Sequence, residues 1–205
     1  MIHVETEGAL WTVTLDRPDK ANSLTGTMLA DLRDIARSAP GAGAAALVLT
    51  GAGRVFSAGA DLDEARAGLA TSPLWEELSE AIAAFPGLTV AALNGTLAGG
   101  AMGMVLACDL RLTVPGATFF YPVMKLGFLP QPSDPARLAA LVGPARAKMI
   151  LMGGQKIDAE TALGWGLVDR LVPPDGLISA ARALAADVLA AKPGHAAAIK
   201  AMIPG

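Results

Sequence analysis

Two strand ends carry glycines in a pattern suited to holding a developing negative charge. The first is Phe56-Ser57-Ala58-Gly59-Ala60-Asp61-Leu62. Gly59 permits a tight turn where a strand gives way to a helix. The N–H of Ala60, close to the start of that helix, then points outward without a partner. The second is Asn94-Gly95-Thr96-Leu97-Ala98-Gly99-Gly100-Ala101, in which a strand ends, the chain turns and a glycine pair opens a helix. The N–H of Gly100 stands at that helix N-terminus, where the dipole favours negative charge. Two such N–H groups aimed at one oxygen form an oxyanion hole, and each donor of this kind contributes about 2.7–4 kcal/mol to a transition state. Taken singly, each turn reads equally well as a plain tight turn whose helix start faces water. The spacing Gly99-Gly100-Ala101-Met102-Gly103 does not make a dinucleotide fingerprint, which needs G-x-G-x-x-G and a later acidic residue.

The other chemistry-bearing residues narrow the choice by their scarcity. His3 and His195 are the only histidines and lie near the two ends. No imidazole falls in the central part of the chain, so neither a Ser-His-Asp triad nor a His-rich metal site is expected. Cys108 stands alone, which excludes an intrachain disulfide and fits a reducing, cytoplasmic compartment. Sixteen basic and nineteen acidic residues leave a net charge of −3, with no basic footprint for nucleic acid. The mean hydropathy of +0.46 is high. No run of 18 uninterrupted apolar residues accompanies it, so no membrane span is expected. Met1–Gly8 lacks the charged and apolar regions of a signal peptide, and none is expected.

Elements that must position the two turns follow from periodicity. The 205 residues, 53% hydrophobic and 17% charged, suit one globular domain, with or without a helical extension. Trp11, Val13 and Leu15 alternate with threonines as in a half-buried strand, which Asp16-Arg17-Pro18-Asp19 breaks. Thr25 caps a helix with Met28, Leu29, Leu32 and Ile35 on one face. Buried strands are predicted over 44–50 and 89–93, with a helix over 73–84 between them. A glycine-started helix over 99–107, then strands over 109–113 and 118–121, come next. Helices are predicted from Ser133-Asp134-Pro135 to Leu141, from Gly143-Pro144 to about Met152, from the Asp158 cap to Trp165-Gly166, and over 177–190. A last strand spans 168–171. Alternating strands and helices argue an α/β layer architecture.

The strings VFSAGADL (Val55–Leu62), ALNGTLAGGAMGMVLACDLRL (Ala92–Leu112) and MGGQKIDAETALGWGLVDRLVP (Met152–Pro173), in that order, resemble the enoyl-CoA hydratase/isomerase (crotonase) superfamily. LDRPDKANSL (Leu15–Leu24) is similar to the family's N-terminal segment. The resemblance implies a crotonase-like spiral of ββα units with helices outside, occupying residues 1–173, and a C-terminal helical segment over 174–205. It implies a site for an acyl-CoA thioester, coenzyme A being part of the substrate and no cofactor being tightly bound. The oxyanion donors fall on Ala60 and Gly100, beside Gly59 and Gly99. Lys20, Ala21 and Asn22 are expected to line the CoA path, with Ala58, Asp61 and Leu62 meeting its adenine end. A homotrimer or a hexamer is the implied assembly. Family members usually continue into further helices beyond the last one here, so part of the trimer contact and one wall of the CoA site are expected to be missing or rebuilt.

At three positions the sequence departs from that pattern. The family's two hydratase glutamates fall on Gly103 and Val123, neither of which can transfer a proton. An aspartate used by other members falls on Gln131, which can orient a water but cannot act as a base. Asp134 is the nearest acid, either as the N-cap of the following helix or as a displaced general base. Glu64 reads as a solvated helix residue that reaches the site only if its helix bends inward. Tyr121 is either a core residue or a hydrogen-bond donor to substrate. The expected function is an enzyme that holds an enolate with Ala60 and Gly100, by isomerisation, decarboxylation, hydrolysis or C–C cleavage. The alternative is a catalytically silent CoA-thioester-binding or assembly protein. A serine peptidase is excluded, because Ala101 and Met102 stand where its nucleophile is needed.

Overall fold

A computed structural model describes residues 1–203. The chain opens with β1 (Ile2–Glu7), β2 (Leu10–Leu15) and α1 (Gly26–Ser38). Three units of related plan follow. β3 (Ala46–Gly51) and β4 (Val55–Ser57) lead into α2 (Leu62–Arg66) and α3 (Leu74–Ala83). β5 (Leu88–Leu93) and β6 (Thr96–Ala98) lead into α4 (Ala101–Leu106). β7 (Leu110–Thr113) and β8 (Thr118–Phe120) lead into α5 (Val123–Leu126), α6 (Asp134–Val142) and α7 (Pro144–Leu151). The chain closes with β9 (Ile157–Asp158), α8 (Ala159–Trp165), β10 (Arg170–Leu171), α9 (Leu177–Ala190) and α10 (His195–Met202).

Each unit gives its first strand to one sheet and its second to another. The large sheet runs β1-β2-β3-β5-β7-β10 and the small one β4-β6-β8-β9. Within them β2, β3, β5, β7 and β10 are parallel neighbours, as are β4, β6 and β8. The result is the expected spiral of ββα units. Strands of a parallel sheet covered on both faces read as continuous apolar runs, and Ala46–Thr50 and Thr89–Leu93 are buried throughout. The same cover buries Thr12 of β2, where simple alternation places a half-exposed side chain. α9 lays Leu177, Ala181 and Ala185 against the large sheet. Those positions are four apart, so they form one stripe, and the two alanines let the helix sit close.

Thr25 caps α1 as expected, its hydroxyl accepting the N–H of Met28 at 3.2 Å. Asp158 caps α8 through the N–H of Thr161 at 2.8 Å. Five elements go beyond the periodicity: β1, whose residues are mostly exposed on a sheet edge, the three-residue β6, the one-turn α5, the two-residue β9, and α10. The strand expected over 168–171 narrows to Arg170–Leu171, while Val168 packs into the core. Among the described residues, no helix is long and apolar enough to cross a membrane.

Candidate active site

The segment 21–24 runs alongside the first glycine turn and is tied to it at Ala21, Asn22 and Leu24. Ala58 N–H donates to Ala21 O at 3.0 Å, Ser57 Oγ to Asn22 O at 2.8 Å, Leu24 N–H to Gly59 O at 2.7 Å, and Asp61 N–H to Leu24 O at 2.8 Å. The last two form a parallel bridge between Leu24 and Ala60. In such a bridge the flanking residues, 59 and 61, make the bonds, and the N–H of the bridged residue faces the opposite side. Ala60 N–H therefore points away from Leu24, and among the described residues it has no acceptor.

The second turn lies directly against the first. A Cβ on Gly59 would stand 2.9 Å from Ala98 O and 3.3 Å from Gly99 Cα, so only glycine fits there, and its φ of +92° points the same way. Gly99, at φ +58°, donates its N–H to Phe120 O at 3.1 Å. Gly100 follows at the N-terminus of α4, and its N–H has no acceptor among the described residues. The structure thus packs together two turns that lie 40 residues apart in the chain, each followed by a free N–H.

Beyond Gly100, one face of α4 carries Gly100 and Gly103, and α3 and α6 close over it. A Cβ on Gly100 would meet the Trp75 indole at 3.2 Å. Trp75 is buried and donates its Nε1–H to Leu69 O at 2.8 Å. A Cβ on Gly103 would stand 2.7 Å from Asp134 Oδ1 and 2.9 Å from Ser79 Oγ. Asp134 therefore fills the space that a side chain at 103 would occupy. It is fully buried. Its Oδ2 accepts the Tyr121 hydroxyl at 2.8 Å, while among the described residues its Oδ1 and Ser79 Oγ have no hydrogen-bond partner. Burial, helped by the nearby Glu76 charge and opposed by the Tyr121 hydrogen bond, pushes the Asp134 carboxyl up to about 7. Burial and the Asp134 charge push the Tyr121 phenol far above its ordinary value, so it stays a protonated donor.

Several expected roles change. Asp134 is the first residue of α6, not its cap: its side chain turns inward to Tyr121, and Glu76 Oε2 accepts the N–H of Ser133 instead, at 3.2 Å. Glu64 is half-buried and not free. It accepts the N–H of Gly26 at 2.7 Å, at the positive end of α1. Asn22 has a fully buried side chain that accepts from Arg17 N–H at 2.8 Å and donates to Ala52 O at 2.9 Å and Val55 O at 2.7 Å. It fixes a loop in which Ala21 and Asn22 both adopt positive φ, and it presents no side chain to a ligand. Val123 is buried at the start of α5, and Gln131, half-buried, accepts the Asp134 N–H through its carbonyl at 3.1 Å. Lys20, Ala58 and Leu62 are exposed next to the first turn. Asp61 caps α2 and pairs with Arg17 at 2.8 Å, which holds its carboxyl below the ordinary value.

Arg17, Trp75, Glu76 and Ser79 also belong to the site, and sequence reasoning did not select them. For Trp75 and Ser79 the available signal was helical spacing: they lie four apart, on the face of α3 that meets the two glycines of α4. Among the described residues no group of three or more His, Cys, Asp or Glu side chains stands together as a metal site.

Comparison with known proteins places the chain by sequence and fold. Residues 5–204 match the family described as Enoyl-CoA hydratase/isomerase. A protein of Mycobacterium tuberculosis (strain CDC 1551 / Oshkosh) named "Probable enoyl-CoA hydratase echA6" is 35% identical over 188 residues, covering 92% of this chain and 76% of its own length. The carnitinyl-CoA dehydratase of Citrobacter koseri is 34% identical over 212 residues, covering 97% of this chain and 78% of that one. The solved structure of Pseudomonas aeruginosa DspI superposes with a TM-score of 0.90 at 35% identity, over 98% of this chain and 85% of that chain.

Proposed function

The chain belongs to the enoyl-CoA hydratase/isomerase family, whose members act on CoA thioesters, and on that premise we propose that it is an isomerase-type enzyme using Asp134 as its single proton-transfer group. In this reading the thioester oxygen accepts the N–H groups of Ala60 and Gly100. The Asp134 carboxylate takes a proton from C2 of a 3-enoyl thioester. The electron pair delocalises onto the oxygen as a dienolate held by the two N–H groups, and the neutral carboxyl returns the proton at C4. One observation carries this: the Asp134 carboxyl stands at the Gly103 position, with a proton affinity near neutrality. Gly103 lies three residues from Gly100, about 4.5 Å along the helix axis. A general acid–base group works best when its pKa lies near the operating pH. Asp134 is fully buried, so the stretch between Tyr121 and Asp134, exposed from Met124 to Leu129, has to yield as the acyl group enters. That same burial favours the second reading, a CoA-thioester-binding protein without turnover.

Purified protein is offered crotonyl-CoA, a 3-enoyl-CoA and methylmalonyl-CoA, with product identified by mass and absorbance. Conversion of the 3-enoyl thioester to its conjugated isomer is expected. Its kcat should rise through about pH 7, and Asp134→Asn should lower it by about 10²–10⁴. Turnover of methylmalonyl-CoA that Asp134→Asn leaves unchanged would replace this reading with base-free decarboxylation. Binding of CoA without turnover of any of the three would leave the second reading.

Coenzyme A enters and leaves with the substrate in this proposal, and no tightly bound cofactor is needed. A homotrimer or a hexamer in the cytoplasm is the proposed working form. Exposed Met124, Leu126, Phe128 and Leu129, close together in the chain, support contact with another copy at α5 and the loop after it. Light scattering on the purified chain tests it, and a monomer at all concentrations would overturn it.

A further inference from the structure

We propose that Ser79 is a positioning residue for proton transfer, its hydroxyl serving as the hydrogen-bond partner of Asp134 Oδ1 across the gap that Gly103 leaves open. This inference deepens the isomerase reading above and rests on it. Ser79 Oγ and Asp134 Oδ1 stand 2.9 and 2.7 Å from the one point where a Cβ on Gly103 would be. Both side chains are buried, Ser79 to 1% exposure and Asp134 to 0%. Among the described residues neither atom has a hydrogen-bond partner. Leaving a buried polar atom unpaired is costly, and here two such atoms face the same space from α3 and α6. A second contact keeps these helices in register: Glu76 Oε2, one turn before Ser79, accepts the N–H of Ser133, next to Asp134, at 3.2 Å. No side chain on Gly103 stands between the two atoms, so they can close on each other, directly or through one bound water.

The two oxygens of Asp134 differ in their surroundings, and this decides which of them carries the proton. Tyr121 donates its hydroxyl to Oδ2 at 2.8 Å and, as a phenol held protonated, occupies that oxygen in both states of the acid. Oδ1 faces Gly103 and takes the proton from C2: the C2–H bond breaks, Oδ1–H forms, and the electron pair passes to the thioester oxygen. Oδ1–H then breaks as its proton is delivered to C4. A carboxylate needs a donor at Oδ1 and a carboxyl needs an acceptor there, and a hydroxyl supplies both by turning its O–H. A hydrogen bond to the charged form is stronger than one to the neutral form. Ser79 therefore favours the carboxylate and lowers its proton affinity. Besides Tyr121, the charges that act on Asp134 are Glu76 on α3, which raises that affinity, and Arg137 on α6, which lowers it, while α4 carries no titratable group.

Carbon-13 NMR of the aspartate side-chain carboxyls in the free protein tests the pairing without requiring turnover, with the Asp134 signal assigned by its loss in Asp134→Asn. The wild-type signal should titrate near about pH 7, and that of Ser79→Ala about one pH unit higher. Ser79→Ala keeps the Cβ and removes only the hydroxyl. Ser79→Cys, whose thiol is a weak donor, should shift the same way by less, and it carries the test if the alanine variant does not fold. In turnover of a 3-enoyl-CoA, the pH at which kcat rises should move with the NMR midpoint. The kcat of Ser79→Ala at about pH 6 should then fall by about tenfold while KM holds. A role in packing alone would lower stability at every pH and leave the midpoint in place. An unmoved or lowered midpoint in a folded Ser79 variant would overturn the inference. A midpoint that rises as expected, in a protein that turns over no thioester, would keep the Ser79–Asp134 pairing but overturn the isomerase reading and the role in proton transfer with it.

Discussion

Asp134 Oδ1 lies 2.7 Å from the point where a side chain on Gly103 would begin. The two residues come from different helices, α4 and α6, and they compete for one volume. The glycine and the aspartate are therefore a matched pair. Alanine is favoured over glycine inside a helix by about 1 kcal/mol, but overfilling a packed core costs about 1–3 kcal/mol. Gly103→Ala should destabilise the protein in urea unfolding. In an Asp134→Ala background the same change should be neutral or stabilising, a coupling that a double-mutant cycle measures.

The elevated Asp134 value makes stability depend on pH in a direction opposite to most carboxylates. The folded protein keeps this proton between about pH 4 and 7, where the unfolded chain has released it. Stability therefore falls as pH rises through that window, and above it the burial of a charged Asp134 costs on the order of 4 kcal/mol. Asp134→Asn resembles the neutral form at every pH. The variant should be more stable than wild type at pH 8 and lose that advantage by about pH 4. Thermal unfolding of both proteins across this range checks it, and a gap that does not change with pH would place the carboxyl outside this description.

At the first turn the sign reverses. The Arg17 guanidinium, with the N–H groups at the start of α2, holds Asp61 below the ordinary carboxylate value. That contribution is complete above the unfolded value and is lost as pH falls through the lowered folded one. Arg17 Nη1 also contacts Ser23 O at 3.2 Å and Ser23 Oγ at 3.3 Å, so it ties the 21–24 segment to α2. Arg17→Met should move the acid-unfolding midpoint to higher pH, read by circular dichroism, and weaken CoA binding by loosening the segment beside Ala60.

Lys200 anchors α10 to the core. Its Nζ donates to Phe85 O at 2.9 Å, Gly87 O at 3.2 Å and Asp109 Oδ2 at 2.8 Å, all on the loops that flank β5 and β7. α10 buries no residue fully, and this side chain ties it to those loops. Lys200→Met should leave the spiral core folded and speed protease cleavage ahead of α10, within 191–195. Unchanged cleavage would show that α10 is held by its packing instead.

Much of this molecule was legible in the chain because the signals are local. Thr25 and Asp158 name their helices, since a cap needs only its own N-terminal turn. Gly59 and Gly99 announce positive-φ turns, and the apolar runs at 46–50 and 89–93 announce strands buried on both faces. The absence of carboxylates at 103 and 123 is likewise written in the sequence. Only the tertiary structure decided what fills the space beside Gly103. Asp134 reads as a helix cap until α6 is laid across α4 and turns it inward to Tyr121, because a carboxylate's role is set by which distant groups surround it. Trp75 and Ser79 read as ordinary positions of an amphipathic helix until two glycines on α4 let α3 approach closely. Asn22 holds a place in the chain where ligand contact is expected and Glu64 reads as a solvated helix residue, yet long-range backbone groups at Ala52, Val55 and Gly26 claim them. Secondary structure follows from neighbours in sequence. A site follows from neighbours in space, and the chain fixes those only once its layers have packed.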